Sequence, residues 1–327
     1  MNLFKPLFST LSPPAGGARL SVLIFHRVLP ASDPLFPGEV DSRQFDQIVG
    51  WLRAWCNVLP LDEAVLRLRA GTLPARAAAI TFDDGYADNH EQALPILRRH
   101  GAHATFFIAT GFLDGGRMWN DTVIEAVRGF AGSRIDLKGL DLPADQGPSS
   151  WPVETLAQRR STIAAIIGKI KYAAPAHRLV LAEQVAAQLA TVLPSNLMMS
   201  SEQVRGLRHA GMQIGAHTHN HPILARLAAG PARDEIARSK TTLESLLGEP
   251  VNLFAYPNGR PGQDYSAESV EIVRELGFTA AVSTATGAAN AATDPLQLPR
   301  FTPWDRTKTR FGLRLAANLL AAAPAAA

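Results

Sequence analysis

A short apolar segment that ends in two carboxylates, residues 78–85 (AAITFDDG), decides the fold class of this chain. Its apolar part, Ala78–Phe82, has the length and the residue types of a buried strand. Asp83 and Asp84 follow at once, and Gly85 allows the sharp turn by which the chain leaves the strand. Because α/β folds place their active sites on loops at the carboxyl ends of parallel strands, the two carboxylates mark a candidate site.

Further segments of the same strand-like character alternate with amphipathic helical patterns. The predicted strands are Leu20–Phe25, Ala104–Ile108, Gln213–Ala216, Leu253–Tyr256 and Ala280–Ser283. The predicted helices are Ser42–Trp55, Leu61–Arg69, Glu91–His100, Ser201–His209, Arg233–Leu247 and Ala267–Leu276, with Ser42, Ser201 and Ser266 as predicted caps. This alternation indicates parallel strands joined by crossover helices, but it does not distinguish an open sheet from a barrel.

The region from about residue 114 to residue 199 breaks the alternation. Gly132–Ser150 is rich in Gly, Pro and Asp, and two helical patterns follow it, Val153–Tyr172 and Pro175–Val192. We therefore predict one α/β domain over residues 20–309 that carries a helical insertion at 114–199.

The two ends of the chain flank this domain. Residues 1–19 are predicted to be an extension whose first dozen residues are loosely held. Residues 310–327 are predicted to be an amphipathic helix with an Ala-rich tail, and a surface helix is favoured over a membrane anchor. No segment approaches the roughly 20 uninterrupted apolar residues of a membrane-spanning helix. Since Cys56 is the only cysteine, we expect a cytoplasmic protein, with peripheral contact at the inner membrane left open.

The composition argues against several classes of protein. Hydrophobic residues make up 46% and charged residues 19% of the 327 residues, as in an ordinary globular chain rather than a disordered one. The formal net charge is only +3, and no basic stripe with interleaved aromatic residues is evident. We therefore expect no nucleic-acid partner.

A pair of histidines follows the predicted strand Gln213–Ala216. His217 and His221 are four residues apart, so one helical turn would place both imidazoles on one face, as in many zinc sites. Alone, such a pair is more often incidental, and an Asp-Asp-Gly sequence is more often a solvated turn. Together with Asp83 and Asp84, however, the histidines indicate a catalytic site in which two imidazoles and one carboxylate hold a divalent metal. Zinc is favoured, and cobalt or nickel would also suit these ligands.

Three motifs together resemble the polysaccharide deacetylase family, the NodB-homology group of carbohydrate esterases. They are residues 81–85 (TFDDG), 217–222 (HTHNHP) and 254–259 (FAYPNG). The resemblance extends from about residue 21 to residue 300, apart from the insertion. It implies a distorted (β/α)7-type barrel, which in this chain carries the helical insertion predicted above, and so it selects the barrel over the open sheet. It also implies metal-dependent removal of acetyl groups from a carbohydrate.

The resemblance also implies roles for individual residues. Asp83 is the expected general base. Asp84, His217 and His221 are the expected metal ligands. The backbone N–H at Asn258 is expected to stabilise the oxyanion that forms during hydrolysis.

Two departures from better-known members bear on these roles. Many members carry an arginine in the third motif that braces the base, but Ala255 stands there in this chain; we predict Arg300 as the replacement, with a surface arginine as the alternative. Many also have a late histidine as general acid, and no histidine follows His221. His26, in residues 25–28 (FHRV), resembles the early histidine of the exopolysaccharide deacetylase branch and is the predicted acid. The alternative is a buried structural histidine.

The substrate is predicted less sharply. Trp119 and Tyr256 are predicted to line a sugar cleft, although an ordinary helix start would also explain Trp119. We expect an acetylated glycan or oligosaccharide, either a polymer or a lipid-linked intermediate, with N-acetylhexosamine units as the target. Two alternatives stay open, an O-acetyl esterase on a similar glycan and a catalytically silent carbohydrate-binding relative.

Overall fold

The structure is a computed structural model that describes residues 3–140, 142, 149–171, 173–321 and 326–327. Contacts between the described residues divide the chain into two compact units. The first unit comprises Met1–Ala31, Val40–Asp114 and Met199–Ala327, and the second comprises Ser32–Glu39 and Gly115–Met198.

The elements of the first unit are mostly those that the sequence predicts. In chain order the strands of the described residues in both units are β1 (Leu20–Phe25), β2 (Asn57–Val58), β3 (Ala77–Phe82), β4 (Thr105–Ile108), β5 (Arg134–Asp136), β6 (Ser150–Pro152), β7 (Gln213–Ala216), β8 (Leu253–Ala255), β9 (Ala280–Val282) and β10 (Arg300–Phe301). The α-helices are α1 (Phe4–Leu11), α2 (Ser42–Trp55), α3 (Leu61–Arg69), α4 (Leu94–Arg99), α5 (Trp119–Gly129), α6 (Leu156–Ile170), α7 (Pro175–Leu189), α8 (Ser201–His209), α9 (Ala229–Leu247), α10 (Ala267–Glu275) and α11 (Lys308–Leu320). A π-helical turn, Asn89–Ala93, precedes α4 and occupies the first part of the helix predicted there.

The strands of the first unit form a parallel sheet that closes on itself. The strand order is β10-β1-β3-β4-β7-β8-β9, and β2 adds to β3. Beyond β9, the Ser283 N–H donates to the Leu298 carbonyl at 2.8 Å, and the Leu298 N–H donates to the Ala281 carbonyl at 2.9 Å. Leu298 lies just before β10, so these bonds connect the two ends of the sheet. The predicted barrel is therefore confirmed.

Aromatic side chains pack the strands against the surrounding helices. Phe82, at the end of β3, is fully buried, and its ring stacks on that of Phe106 with centroids 4.8 Å apart. Phe25 and Phe45 lie within 5.5 Å of the same ring, centroid to centroid. Both faces of β1 and β3 are buried, as is typical of parallel strands that helices cover.

Two predicted helix caps are wrong by one residue. Asp41 caps α2 and Ser200 caps α8, whereas the predicted Ser42 and Ser201 are the first helical residues. A capping residue needs extended backbone angles so that its side chain can reach the N–H groups of the first turn. Asp41 and Ser200 have such angles. The prediction of Ser266 as the cap of α10 is confirmed.

The prediction that the first dozen residues are loosely held is wrong for residues 3–12, which the structure describes. They contain α1, which packs against α11. Phe8 is fully buried, its ring centroid lies 5.8 Å from that of Trp55, and the Phe4 ring covers Gly312 so closely that a Cβ there would lie 2.4 Å away. Two short amphipathic patterns at opposite ends of the chain stabilise each other by burying their apolar faces together.

The second unit has its own apolar core. Helices α5, α6 and α7 surround it, and Leu35 from the segment Ser32–Glu39 belongs to it. Asp33 of that segment forms a two-pronged ion pair with Arg128 on α5 at 3.1 and 2.8 Å. The sequence predicts no strand here, yet β5 and β6 form an antiparallel hairpin.

Parts of four predictions lie outside the described residues. They are residues 1–2 of the predicted extension, most of residues 141–148 in the predicted loop, Tyr172 at the end of a predicted helix, and residues 322–325 of the predicted tail. Among the described helices, none combines the length and the apolar character needed to span a bilayer.

We expect Phe82→Ala to lower the free energy of unfolding by about 3–5 kcal/mol, because it removes a fully buried ring from the sheet–helix interface. Equilibrium urea denaturation measures this change. Leu66→Ala, at a side chain that is 70% exposed, is the control and is expected to change it by less than about 0.5 kcal/mol. Equal values for the two variants would contradict this account of the core.

Candidate active site

The predicted chemical residues of the first unit lie on loops at one end of the barrel. His26 follows β1, Asp83 and Asp84 follow β3, and His217 follows β7. These strands are parallel neighbours or near neighbours in the sheet, so their carboxyl ends share one end of the barrel.

Asp84, His217 and His221 form a compact group of three ligand atoms. Asp84 Oδ1 lies 3.4 Å from Nε2 of each histidine, and all three ligand atoms lie within 4.8 Å of one another. The Nδ1–H of His217 donates to the Ala255 carbonyl at 2.8 Å, which leaves its Nε2 as the atom that faces Asp84. Two imidazole nitrogens and one carboxylate oxygen at these distances fit a divalent cation.

The two histidines do not converge through a helical turn, as the sequence predicts. Residues 217–222 form a loop after β7. Thr218 and His221 both have left-handed backbone angles, with φ of 62° and 52°. These two reversals, rather than helical periodicity, turn His221 back towards Asp84.

Glu235 on α9 holds this loop in place. Its Oε2 accepts hydrogen bonds from the backbone N–H groups of His219 at 3.1 Å and Asn220 at 2.7 Å, and its Oε1 accepts from Asn220 Nδ2 at 2.7 Å. Within the loop, the His221 N–H donates to Thr218 Oγ1 at 3.1 Å. Left-handed backbone at residues other than Gly costs about 1–2 kcal/mol each, so these bonds offset a real strain.

Asp83 is paired with Arg300 inside the barrel. The two guanidinium Nη atoms each donate to one carboxylate oxygen at 2.7 Å, and the Arg300 side chain is fully buried. The Arg300 Nε donates to the Ser283 carbonyl at 2.7 Å, and one Nη also donates to Thr81 Oγ1 at 3.3 Å. The predicted alternative, a surface arginine, is therefore wrong.

The electrostatics of the site favour an ionised Asp83 and a neutral His221. Burial raises the pKa of Asp83, but the charge of Arg300 and the bonds it donates outweigh this effect, so the pKa is lowered overall. Burial also raises the pKa of Asp84, while the His217 hydrogen bond and the nearby histidines lower it to a greater extent. Burial lowers the pKa of His221 to about 4, so this imidazole is neutral at neutral pH, as a metal ligand must be.

His26 is exposed, so the alternative of a buried structural histidine is wrong. Its electrostatic interaction with both site aspartates contributes to their lowered pKa values. Asp88 and Asn89, to which the sequence assigns no role, hold the His26 loop. Asn89 Nδ2 donates to the His26 carbonyl at 2.8 Å. Asp88 accepts from the Val28 N–H at 3.0 Å and from Arg27 Nε at 2.8 Å. Asp88 and Asn89 both follow the TFDDG motif closely in the sequence, but no local pattern there indicates these contacts.

Asn258 lies on the loop after β8, with a left-handed φ of 58° and an exposed side chain. Thr284 Oγ1 donates to its carbonyl at 2.7 Å and so fixes the peptide. Within the described part of the chain, no acceptor pairs with the Asn258 N–H. This N–H is therefore available to an oxyanion, and the predicted role stays a prediction.

The structure does not place Tyr256 in a cleft. Its side chain is fully buried and stacks on Tyr265 with ring centroids 3.9 Å apart. Burial accordingly raises the pKa of its hydroxyl. Tyr256 lies two residues after Phe254 and packs in the same apolar core, with the two ring centroids 5.2 Å apart, so the prediction that it contacts sugar is corrected on this ground.

Trp119 belongs to the second unit, where it begins α5. The Arg178 guanidinium lies over its ring, 5.0 Å from the centroid. The prediction that it binds sugar stays a prediction.

Comparison with known proteins points to one family. A model of the family described as polysaccharide deacetylase matches residues 70–281. A Bacillus subtilis (strain 168) protein named as a polysaccharide deacetylase, YxkH, is 22% identical over 275 residues, which cover 84% of this chain and 67% of that protein. The poly-beta-1,6-N-acetyl-D-glucosamine N-deacetylase of Staphylococcus aureus (strain MSSA476) is 36% identical over 73 residues, 22% of this chain and 25% of that protein.

The fold also has solved counterparts. The structure of the Streptococcus pyogenes deacetylase PplD in complex with acetate superposes with a TM-score of 0.60 at 19% identity, covering 92% of this chain and 98% of that one. At this identity the likeness concerns the fold alone.

We expect Arg300→Met to lower the free energy of unfolding at pH 7 by about 3–5 kcal/mol, because Asp83 would keep a buried charge without its partner. A carboxyl whose pKa is lowered in the folded state contributes stability above its unfolded pKa and loses it as the pH falls. Urea denaturation should therefore show a smaller difference between wild type and variant at pH 4 than at pH 7. A difference that grows as the pH falls would contradict the pairing.

We expect Glu235→Ala to weaken zinc binding by about ten-fold or more, because the loop between the two histidines loses three hydrogen bonds. Isothermal titration calorimetry with zinc measures this without any assay of activity. Glu235→Gln keeps one acceptor oxygen, so its affinity for zinc should lie between that of the wild type and that of Glu235→Ala. Asp234→Ala, at the exposed neighbouring position on α9, is the control. The same affinity in Glu235→Ala and Asp234→Ala would show that the loop does not depend on Glu235.

Proposed function

This chain belongs to the polysaccharide deacetylase family, and from that premise we propose that it hydrolyses the N-acetyl amide of N-acetylhexosamine units in a surface glycan. One observation carries the proposal above all. An ionised carboxylate, Asp83, is braced by a buried arginine directly beside a group of three metal-ligand atoms, and a protein that only binds sugar has no use for such a base. The similarity to an enzyme named as a poly-beta-1,6-N-acetyl-D-glucosamine N-deacetylase supports an N-acetyl substrate.

The ligand group suits zinc, with cobalt and nickel as alternatives. Asp84, His217 and His221 would hold the ion. When bound, it would supply Lewis-acid chemistry, lowering the pKa of a water molecule and polarising the acetyl carbonyl.

The protein's own residues would carry the protons. Asp83 takes a proton from the attacking water as the water oxygen bonds to the acetyl carbon. Arg300 keeps Asp83 ionised and oriented, and the Asn258 N–H donates to the oxyanion. His26 then gives a proton to the leaving nitrogen as the C–N bond breaks. The products are acetate and the free amine of the sugar.

The same residues would also cleave an O-acetyl ester. An alcohol is a better leaving group than an amine, so this reaction depends less on the acid His26. A catalytically silent relative is disfavoured, because Arg300 fills the role of the arginine that the third motif lacks.

The setting of the reaction is also a proposal. We infer a cytoplasmic protein that meets its glycan at the inner membrane, either as a lipid-linked intermediate or through peripheral contact of α11. The exposed Leu313 and Leu320 of α11 support such contact.

We expect the zinc-loaded protein to release acetate from N-acetylglucosamine oligomers. Asp83→Asn should lower kcat/KM by about 10²–10⁴-fold, because it removes the base, and a chelator should abolish the release. Enzymatic measurement of acetate over time tests all three.

His26→Ala should lower kcat on the amide more than on an O-acetylated analogue, while His103→Ala, at an exposed histidine elsewhere, should change neither. Release only from the O-acetylated analogue would shift the function to an esterase. No release from either substrate by the zinc-bound protein would overturn the proposal.

A further inference from the structure

The loop that follows β10 forms a cavity that no predicted role explains. It has a volume of about 470 Å³ and is lined by Trp304, Asp305, Arg306, Thr307, Arg310 and Arg314. Trp304 is 69% exposed, so its large apolar surface stays in contact with water unless a ligand covers it.

The cavity lies at the active-site end of the barrel. β10 pairs with β1 in parallel, with Leu23 opposite Phe301. The residues that follow Phe301 therefore leave the barrel at the end where His26 follows β1. The cavity and the hydrolytic residues therefore lie at the same end of the barrel.

One neighbour of the Trp304 ring, Arg314, is itself held in place by other residues. The Arg314 guanidinium lies 5.7 Å from the centre of the ring, and it is fixed in turn by an ion pair with Asp305 at 2.6 Å and a bond to the Thr302 carbonyl at 3.1 Å. The exposed ring offers a flat apolar surface with few rotatable bonds, which suits the apolar face of a sugar.

The cavity is also positively charged. Arg310 and Arg314 both pair with one carboxylate, Asp305, whose side chain is almost completely buried. Arg310 contacts Asp305 through Nε at 3.2 Å, and its side chain is 77% exposed. Among the contacts of the described residues, its two Nη groups have no acceptor, so they can bind a planar or tetrahedral anion from the outside.

We propose that this cavity is a substrate subsite in which Trp304 stacks on one sugar of the glycan while Arg310 binds an anionic substituent. The substituent is a phosphate or a carboxylate, so the substrate is an acidic glycan rather than a neutral homopolymer. The inference rests on the proposed function and names the substrate class for it.

Steady-state kinetics on matched substrates tests the subsite. The substrates are a neutral N-acetylglucosamine oligomer, the same oligomer with a terminal phosphate, the same oligomer with one glucuronate residue, and 4-nitrophenyl acetate, which is too small to reach the cavity. The proteins are wild type, Trp304→Ala, Trp304→Phe, Arg310→Gln and Arg69→Gln, the last a charge-matched control at an exposed arginine on α3.

The wild type should have a KM about ten-fold lower for at least one acidic oligomer than for the neutral one. A lower KM for the phosphorylated oligomer would identify the substituent as a phosphate, and a lower KM for the glucuronate oligomer would identify it as a carboxylate. Arg310→Gln should remove this difference, and Arg69→Gln should keep it. Trp304→Ala should raise KM for every oligomer by about ten-fold with kcat unchanged, Trp304→Phe should restore much of the loss, and hydrolysis of 4-nitrophenyl acetate should be the same throughout.

Other outcomes would overturn the subsite. Equal KM values for all oligomers in wild type and both Trp304 variants, with acetate still released, would disprove it and leave the deacetylase function standing. Binding to phosphatidylglycerol vesicles that Trp304→Ala and Arg310→Gln weaken, with unchanged oligomer KM, would assign the cavity to a membrane surface instead. If no substrate releases acetate, the proposed function fails; calorimetry of the oligomers against wild type and Arg310→Gln then decides the subsite by itself.

Discussion

The buried ion pair between Asp83 and Arg300 is the interaction on which the site depends. It joins the end of β3 to β10, the strand that closes the barrel beside β1. Removing two charges from water costs several kcal/mol each, and the cost is met only because the pair is bidentate and its other donors are satisfied. Arg300 achieves this with bonds to Ser283 and Thr81. A carboxylate held in this way stays ionised and cannot rotate, which is what a general base requires.

The loops around the pair are strained in a consistent manner. Asp84, Thr218, His221 and Asn258 all have positive φ although none is Gly. Such angles persist only where the surroundings hold them, and they tend to occur at functional sites. Here hydrogen bonds from neighbouring elements hold the loops, among them those that Glu235 accepts. The site is thus preorganised by residues that themselves carry no chemistry.

The proposed subsite extends this organisation to a further loop of the barrel. The same strand, β10, supplies Arg300 to the base and leads into the loop that presents Trp304. The hydrolytic groups and the recognition of the neighbouring sugar would therefore be fixed by one strand. An arginine in β10, rather than in the third motif, has a further effect. Its ion pair with Asp83 also ties the strand that closes the barrel to the site.

The sequence by itself determined most of the elements and the identity of the ligand group. Apolar runs bounded by turn residues are a local signal, and β1 and β7 have the predicted bounds. The motifs likewise identified Asp84 and both histidines as candidate metal ligands, because carboxylate and imidazole side chains can be recognised as ligand types from the sequence. Predicting the barrel required the family resemblance, since alternation of strand and helix is equally compatible with an open sheet.

Only the tertiary structure decided what depends on residues far apart in the chain. In the structure, a loop held by Glu235 joins the two histidines instead of the predicted helical turn. Tyr256 lies in the core rather than in a cleft, and α1 packs against α11. The tertiary structure also brought Arg300 to Asp83 across 217 positions of sequence. No local pattern encodes such contacts, because the free energy that fixes them comes from burial and hydrogen bonding between elements that meet only when the barrel closes.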